Sequence, residues 1–114
     1  MEPTLRDKQI VLIKKYNLDL NYNDIVVIKK NNKIIIKRIV GIPKDTVKIE
    51  DYVYINGKKI DDLSTEDAGI ASKEITLKED EYFVLGDNRQ NSIDSRFQEI
   101  GNIKANEIIG KIII

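Results

Sequence analysis

The sequence predicts an all-β domain, and two observations carry that expectation. Apolar residues make up 41% of the chain, Ile is the commonest of them and Trp is absent, so the core falls to β-branched side chains that suit a pleated surface. Two pairs of short strand-like runs are joined by Asn31-Asn32 and by Asn56-Gly57, and these residues accept the positive φ that a two-residue hairpin turn demands. At 114 residues the chain has the length of one domain. Residues 1–114 are therefore read as a single unit that buries roughly 65% of its unfolded surface.

The elements follow in order. Residues 10–13 form an apolar run ending in Lys14 and Lys15, followed by Asn-rich residues 17–23, and read as a strand. Residues 25–30 and 33–42 flank Asn31-Asn32 as a hairpin, and residues 52–55 and 58–60 flank Asn56-Gly57, the strongest short hairpin signal. Residues 61–74 are polar and rich in Asp, Ser and Glu, which predicts a mobile surface loop without chemistry of its own. Residues 82–85 are a strand delivering the chain into a turn at Gly86, and residues 107–114 close the sequence as a strand interrupted by Gly110. No repeat or low-complexity linker interrupts the series.

Composition narrows the chemistry. Zero His excludes a Ser-His-Asp triad, and zero Cys excludes thiol nucleophiles and disulfides. A hydrolase built from this chain needs Ser or Thr with a Lys base, paired carboxylates, or a hard metal held by oxygen. Nineteen basic and nineteen acidic residues give zero net charge, which argues against a nucleic-acid partner held by phosphate neutralisation. There is no apolar run of about 18 residues and no signal-peptide pattern, so the chain as given is expected to be soluble.

Two places stand out. Strand alternation puts Lys37 on the same face as Ile35 and Ile39, with Arg38 on the other. An apolar setting disfavours the ammonium, lowers the amine's pKa and makes it a base; alternatively, Lys33 and Lys37 mark the wet face of a half-exposed strand. Residues 86–96 read G-D-N-R-Q-N-S-I-D-S-R, with Asp87/Arg89 and Asp94/Arg96 repeating Asp-x-Arg around Ser92 and Ser95. Ser92 is placed to orient a neutral lysine amine, or is simply a turn serine bonded to its own backbone. In an extended, partly exposed segment Asp94 and Arg96 would share a face and pair, stiffening the Ser92 loop. Gly86, Asp87, Asn88 and Arg89 read as turn formers and clamps. A metal held by Asp87, Asn88 and Asp94 is a competing reading, with a spacing that matches no EF-hand.

Together with M-E-P-T-L at residues 1–5, D-I-V-V at 24–27 and K-R-I-V-G-I-P-K-D at 37–45, residues 86–96 make the chain resemble the type I signal peptidases. These are membrane-bound Ser/Lys proteases that remove secretory signal peptides. The resemblance covers essentially the whole chain. It implies a compact fold of strongly twisted antiparallel sheets, here in a minimal form without a large insertion domain. It implies Lys37 as general base and Ser92 as the residue that orients it; Asp94 and Arg96 are read as the pair that supports them from behind. Met1, Leu5, Ile35 and Ile36 would line the pocket for the small residue before the cut, although each is equally acceptable as ordinary core. Asn23 and Lys44 stand where the family usually has Gly. The family's nucleophilic serine immediately precedes the Met of M-x-P-T-L, a place that Ser64, Ser72, Ser92 and Ser95 do not occupy.

The resemblance thus implies a serine endopeptidase acting on secretory preproteins at the extracytoplasmic face of the cytoplasmic membrane. It calls for neither metal nor organic cofactor. The membrane anchor and the nucleophile are expected upstream of Met1, so the chain as given is expected to be inactive. A rival from another class is a related protein that binds secreted or pilus subunits as an assembly factor without cleaving them; a second is a small β adaptor without a peptide groove. Retention of Lys37 with Ser92 argues against an inert binder, which has no chemical need for a desolvated lysine beside a hydroxyl.

Overall fold

The structure, a computed structural model, describes residues 12–14 and 19–113. The strands are β1 (Leu12–Lys14), β2 (Ile25–Lys30), β3 (Lys33–Gly41), β4 (Thr46–Glu50), β5 (Tyr52–Ile55), β6 (Lys58–Lys59), β7 (Ile75–Thr76), β8 (Glu81–Leu85), β9 (Ile103–Lys104) and β10 (Ile108–Ile113). They form a six-stranded sheet in the order β1-β10-β2-β3-β8-β9 and a four-stranded sheet in the order β6-β5-β4-β7, and all their pairings are antiparallel. The helical pieces among the described residues are single 3-10 turns. The all-β expectation is met. No helix of the described residues is long and apolar enough to cross a membrane.

Both predicted hairpins form. Asn31 and Asn32 have φ of 54° and 62°, and Asn56 and Gly57 have 52° and 83°, the paired left-handed conformation whose twist matches the flanking strands. β2 is buried on both faces, which is why residues 25–28 read as an unbroken apolar run. Val26 and Ile28 join Ile39, Val84, Ile103 and Ile108 on one side, while Ile25 and Val27 meet Ile112 and Ile36 on the other. The second sheet alternates instead. Val47, Ile49, Val53 and Ile55 point inward and close a core with Val40, Phe83 and Leu85 of the first sheet.

The structure differs from the sequence expectation in several places. β4 was not predicted, although Val47 and Ile49 alternate with Thr46, Lys48 and Glu50 in the manner of a half-buried strand. The two-residue strands β7 and β9 carry too few residues to show a period. Residues 61–74 are not a loop lying free on the surface. They contain buried Thr65 and Ala71, a bridge from Thr65 to Asp51 and a 3-10 turn at Gly69–Ser72. Of the strand expected at 10–13, the described part is β1.

β3 is the element that positions the site. Its register with β8 shifts between Ile39 and Gly41, and a β-carbon on Gly41 would lie 3.0 Å from Leu77 Cδ1 and 3.2 Å from Phe83 Cβ. Glycine lets the strand press against the inter-sheet core there. β8 pairs only with the C-terminal half of β3, from Arg38 to Gly41, so residues 33–37 run on past the end of β8.

Candidate active site

Lys37 lies at that transition. On its face it is flanked by Ile35 and Ile39 and sits opposite Val26, which is fully buried. The wet-face alternative describes Lys33, which is exposed, but not half-buried Lys37. Lys37 Nζ lies 2.9 Å from Ser92 Oγ, and the Ser92 hydroxyl donates to Asp94 Oδ2 at 3.0 Å. Burial pushes the Lys37 amine below its usual 10.5; the Asp94 carboxylate opposes that shift and the Arg96 guanidinium adds to it. Ser92 is thus bonded to side chains, not to its own backbone as in the turn-serine alternative.

The turn that carries Ser92 is held by buried polar contacts. Asp94 and Arg96 have side chains only 0% and 1% exposed. Arg96 Nε donates to Asp94 Oδ1 at 2.8 Å and an Arg96 NH2 donates to Oδ2 at 3.0 Å, a two-point fork. The pairing expected from sequence is present, but in a buried turn closed by the Phe97 N–H on the Asp94 carbonyl, not in a partly exposed extended segment. Ser95, given no role from sequence, fastens the turn to β8. Its N–H donates to the Val84 carbonyl at 3.1 Å, and its hydroxyl accepts from the Val84 N–H at 3.0 Å.

Gly86 opens the turn. Its N–H donates to Asp94 Oδ2 at 3.1 Å, and a methyl group in its place would overlap the Ser92 side chain and lie 3.5 Å from Lys37 Nζ. The repeated Asp-x-Arg pattern does not pair as neighbours at its first copy. Asp87 accepts a bidentate bond from Arg38, at 2.8 and 2.9 Å, while Arg89 reaches Asp61 at 2.9 Å. The metal alternative meets carboxylates already held by guanidinium groups. Ile35 and Ile36 are half-buried in opposite-face clusters, and the neighbouring Ile34 is 64% exposed. Met1 and Leu5 lie outside the described residues. Asp61 and Thr65, which touch Arg89, escaped sequence reasoning because their segment shows no motif.

A neutral amine in this setting has a definite capacity. One of its N–H bonds is committed to Ser92, which leaves the lone pair directed elsewhere and able to take a proton from a hydroxyl placed beside it.

A family model described as signal peptidase, peptidase S26, matches residues 1–114. The chain belongs to the type I signal peptidase family. It is 38% identical over 115 residues to signal peptidase I of Bacillus amyloliquefaciens, covering 84% of this chain and 60% of that protein. It is 37% identical over 116 residues to signal peptidase I S of Bacillus subtilis strain 168, covering 84% of this chain and 61% of that one. The chain thus spans about three fifths of the length of these relatives. The crystal structure of a signal peptidase I from Enterococcus faecalis V583 superposes with a TM-score of 0.64 at 28% identity, covering 82% of this chain and 97% of that one. At family level, type I signal peptidases remove signal peptides.

Proposed function

We propose that residues 1–114 are the catalytic core of a serine endopeptidase that removes N-terminal signal peptides from secretory preproteins, with Lys37 as general base. The observation that carries this reading is the 2.9 Å approach of Lys37 Nζ to Ser92 Oγ in a setting that lowers the amine's pKa. In the mechanism, a serine at the position directly before Met1 attacks the peptide carbonyl and gives its proton to Lys37. Lys37 returns that proton to the leaving amine, and water then releases the acyl group by the same route. Ser92 holds the amine in orientation, and Asp94 and Arg96 hold Ser92.

Among the described residues, no strand but β2 pairs with β3 beyond the end of β8, and this supports the mode of substrate binding. Past the end of β8, residues 33–37 offer an edge on which an extended peptide adds as a strand, with main-chain hydrogen bonds for affinity and small side-chain pockets for selectivity. Ile35 and Ile36, with Met1 and Leu5, are proposed to shape the pocket for the small residue before the cut. An N-terminal anchor would hold the domain at the extracytoplasmic face of the cytoplasmic membrane.

The test uses a chain extended by an upstream serine and anchor, with a preprotein bearing an Ala-x-Ala site as substrate. Lys37→Arg is expected to lose about 10² to 10⁴-fold in turnover, because arginine keeps the charge but does not deprotonate. Ser92→Ala should lose less. Near-normal turnover by a folded Lys37→Arg variant removes Lys37 from the mechanism.

A further inference from the structure

Behind the Ser92 turn lies a second charged cluster that the mechanism does not use. Arg89, with a side chain only 3% exposed, spreads its guanidinium over three acceptors. Its Nε donates to the Gly86 carbonyl at 2.9 Å, one terminal NH to Thr65 Oγ1 at 3.2 Å, and the other to Asp61 Oδ2 at 2.9 Å. Thr65 is itself fixed, with its N–H on the Asp51 carbonyl at 2.6 Å and its hydroxyl on the Leu63 carbonyl at 3.2 Å. Arg89 therefore ties the Gly86 peptide to an anchored stretch of a different segment.

Gly86 passes that constraint on in two ways. Its N–H bonds the same Asp94 oxygen that accepts from the Ser92 hydroxyl, and its Cα leaves no room for a methyl group against Ser92. A shift of the Gly86 peptide is felt at once by Ser92, and through it by the amine 2.9 Å away.

We infer that Asp61 is a positioning residue for the Lys37–Ser92 pair, acting through Arg89 on the Gly86 peptide. A buried guanidinium stripped of its carboxylate turns toward water or toward other acceptors, and its bond to the Gly86 carbonyl is weakened. The Lys37 pocket then loosens, and water reaches the amine. The charged groups that act on Lys37 are Asp94 and Arg96, both carried by the turn that Gly86 opens. The placement of Asp61 stands on geometry alone; only its consequence for turnover rests on Lys37 being the base.

The experiment follows two NMR signals in the 114-residue chain: exchange of the Gly86 amide, and the titration of Lys37 in protein carrying isotope-labelled lysine. Asp61→Ala is expected to speed Gly86 exchange about tenfold or more, because local opening of the turn no longer has to break the charged Arg89–Asp61 bond. It is also expected to raise the Lys37 pKa toward that of an ordinary lysine, with Asp61→Glu recovering part of both effects. Exchange of the Tyr54 amide, paired with Lys48 in the second sheet, should stay as in the wild type, which separates local loosening from global destabilisation. If Asp61→Ala does not fold, Asp61→Asn, which keeps the shape and one acceptor, carries the same test. Wild-type Gly86 exchange together with wild-type Lys37 titration in the variant overturns the inference. If Lys37 of the wild type titrates as an ordinary lysine, the general-base reading falls, and Gly86 exchange alone decides the role of Asp61.

Discussion

Lys44 carries a left-handed backbone, φ 74°, in the turn between β3 and β4. Its side chain is exposed, while its N–H is committed to the Leu77 carbonyl at 3.0 Å, so the turn uses its backbone and not its amine. A β-carbon in that conformation costs roughly 1–2 kcal/mol, and the extra freedom of glycine in the unfolded chain returns roughly 0.5–1 kcal/mol of that difference. Lys44→Gly is therefore expected to stabilise the fold by about 0.5–1 kcal/mol, read as a higher urea midpoint; a lower midpoint would show that the lysine contributes something beyond the turn. Asn23, at φ 70°, gains less from the same change, because asparagine tolerates this region. At both positions the resemblance leads one to expect glycine, and the left-handed backbone supplies a physical reason for it. Asp94 shows the opposite economy, with every contact used. Its two oxygens accept from Gly86, Ser92 and Arg96, so the one buried carboxylate fixes the turn and orients the hydroxyl.

Among the elements, the segment from Asp61 to the Gly69 turn is the least foreseen part of the site. Gly69 has φ 55°, and a methyl group on it would overlap the Arg96 carbonyl oxygen, the same oxygen that accepts from the Ile70 N–H at 2.8 Å. Gly69→Ala combines left-handed strain with overpacking against backbone and is expected to cost roughly 2–4 kcal/mol. Gly57→Ala has a similar backbone angle with open space around it, so its thermal unfolding measures the backbone part alone. Equal losses in the two variants would mean that the contact with Arg96 yields freely. Such packing was not legible in the sequence, because Asp61, Thr65 and Gly69 act through backbone carbonyls and a distant arginine and leave no local pattern. The hairpins were legible because Asn31-Asn32 and Asn56-Gly57 encode their turns within two residues. The pairing of Asp94 with Arg96 could be read from proximity along the chain. That of Arg89 with Asp61, across 28 residues, could not.

For the molecule as a whole, the lowered Lys37 pKa ties stability to pH. Between that lowered value and the ordinary 10.5, the unfolded chain holds a proton that the folded one has released, so the stability of the fold rises with pH across this window. Tyr22 acts in the other direction. Burial and the neighbouring Asp45 push its phenol from 10.0 to about 12, so stability falls as pH climbs from 10 toward 12, and the Lys37 effect is best read below that range. Urea midpoints at about pH 7 and about pH 9.5 are expected to show wild type gaining on Lys37→Met toward the alkaline end. Parallel pH profiles would make Lys37 an ordinary lysine. The edge of β3 that no described strand pairs with has a consequence of another kind. Backbone donors and acceptors carry no sequence information, and with Ile34 64% exposed beside them the edge is as receptive to a second copy of itself as to any other extended chain. Concentrated stocks of the domain are therefore expected to pair edge to edge, seen as a mass that grows with concentration, and two copies joined in that way would each fill the edge proposed for the other's substrate while leaving both folds intact.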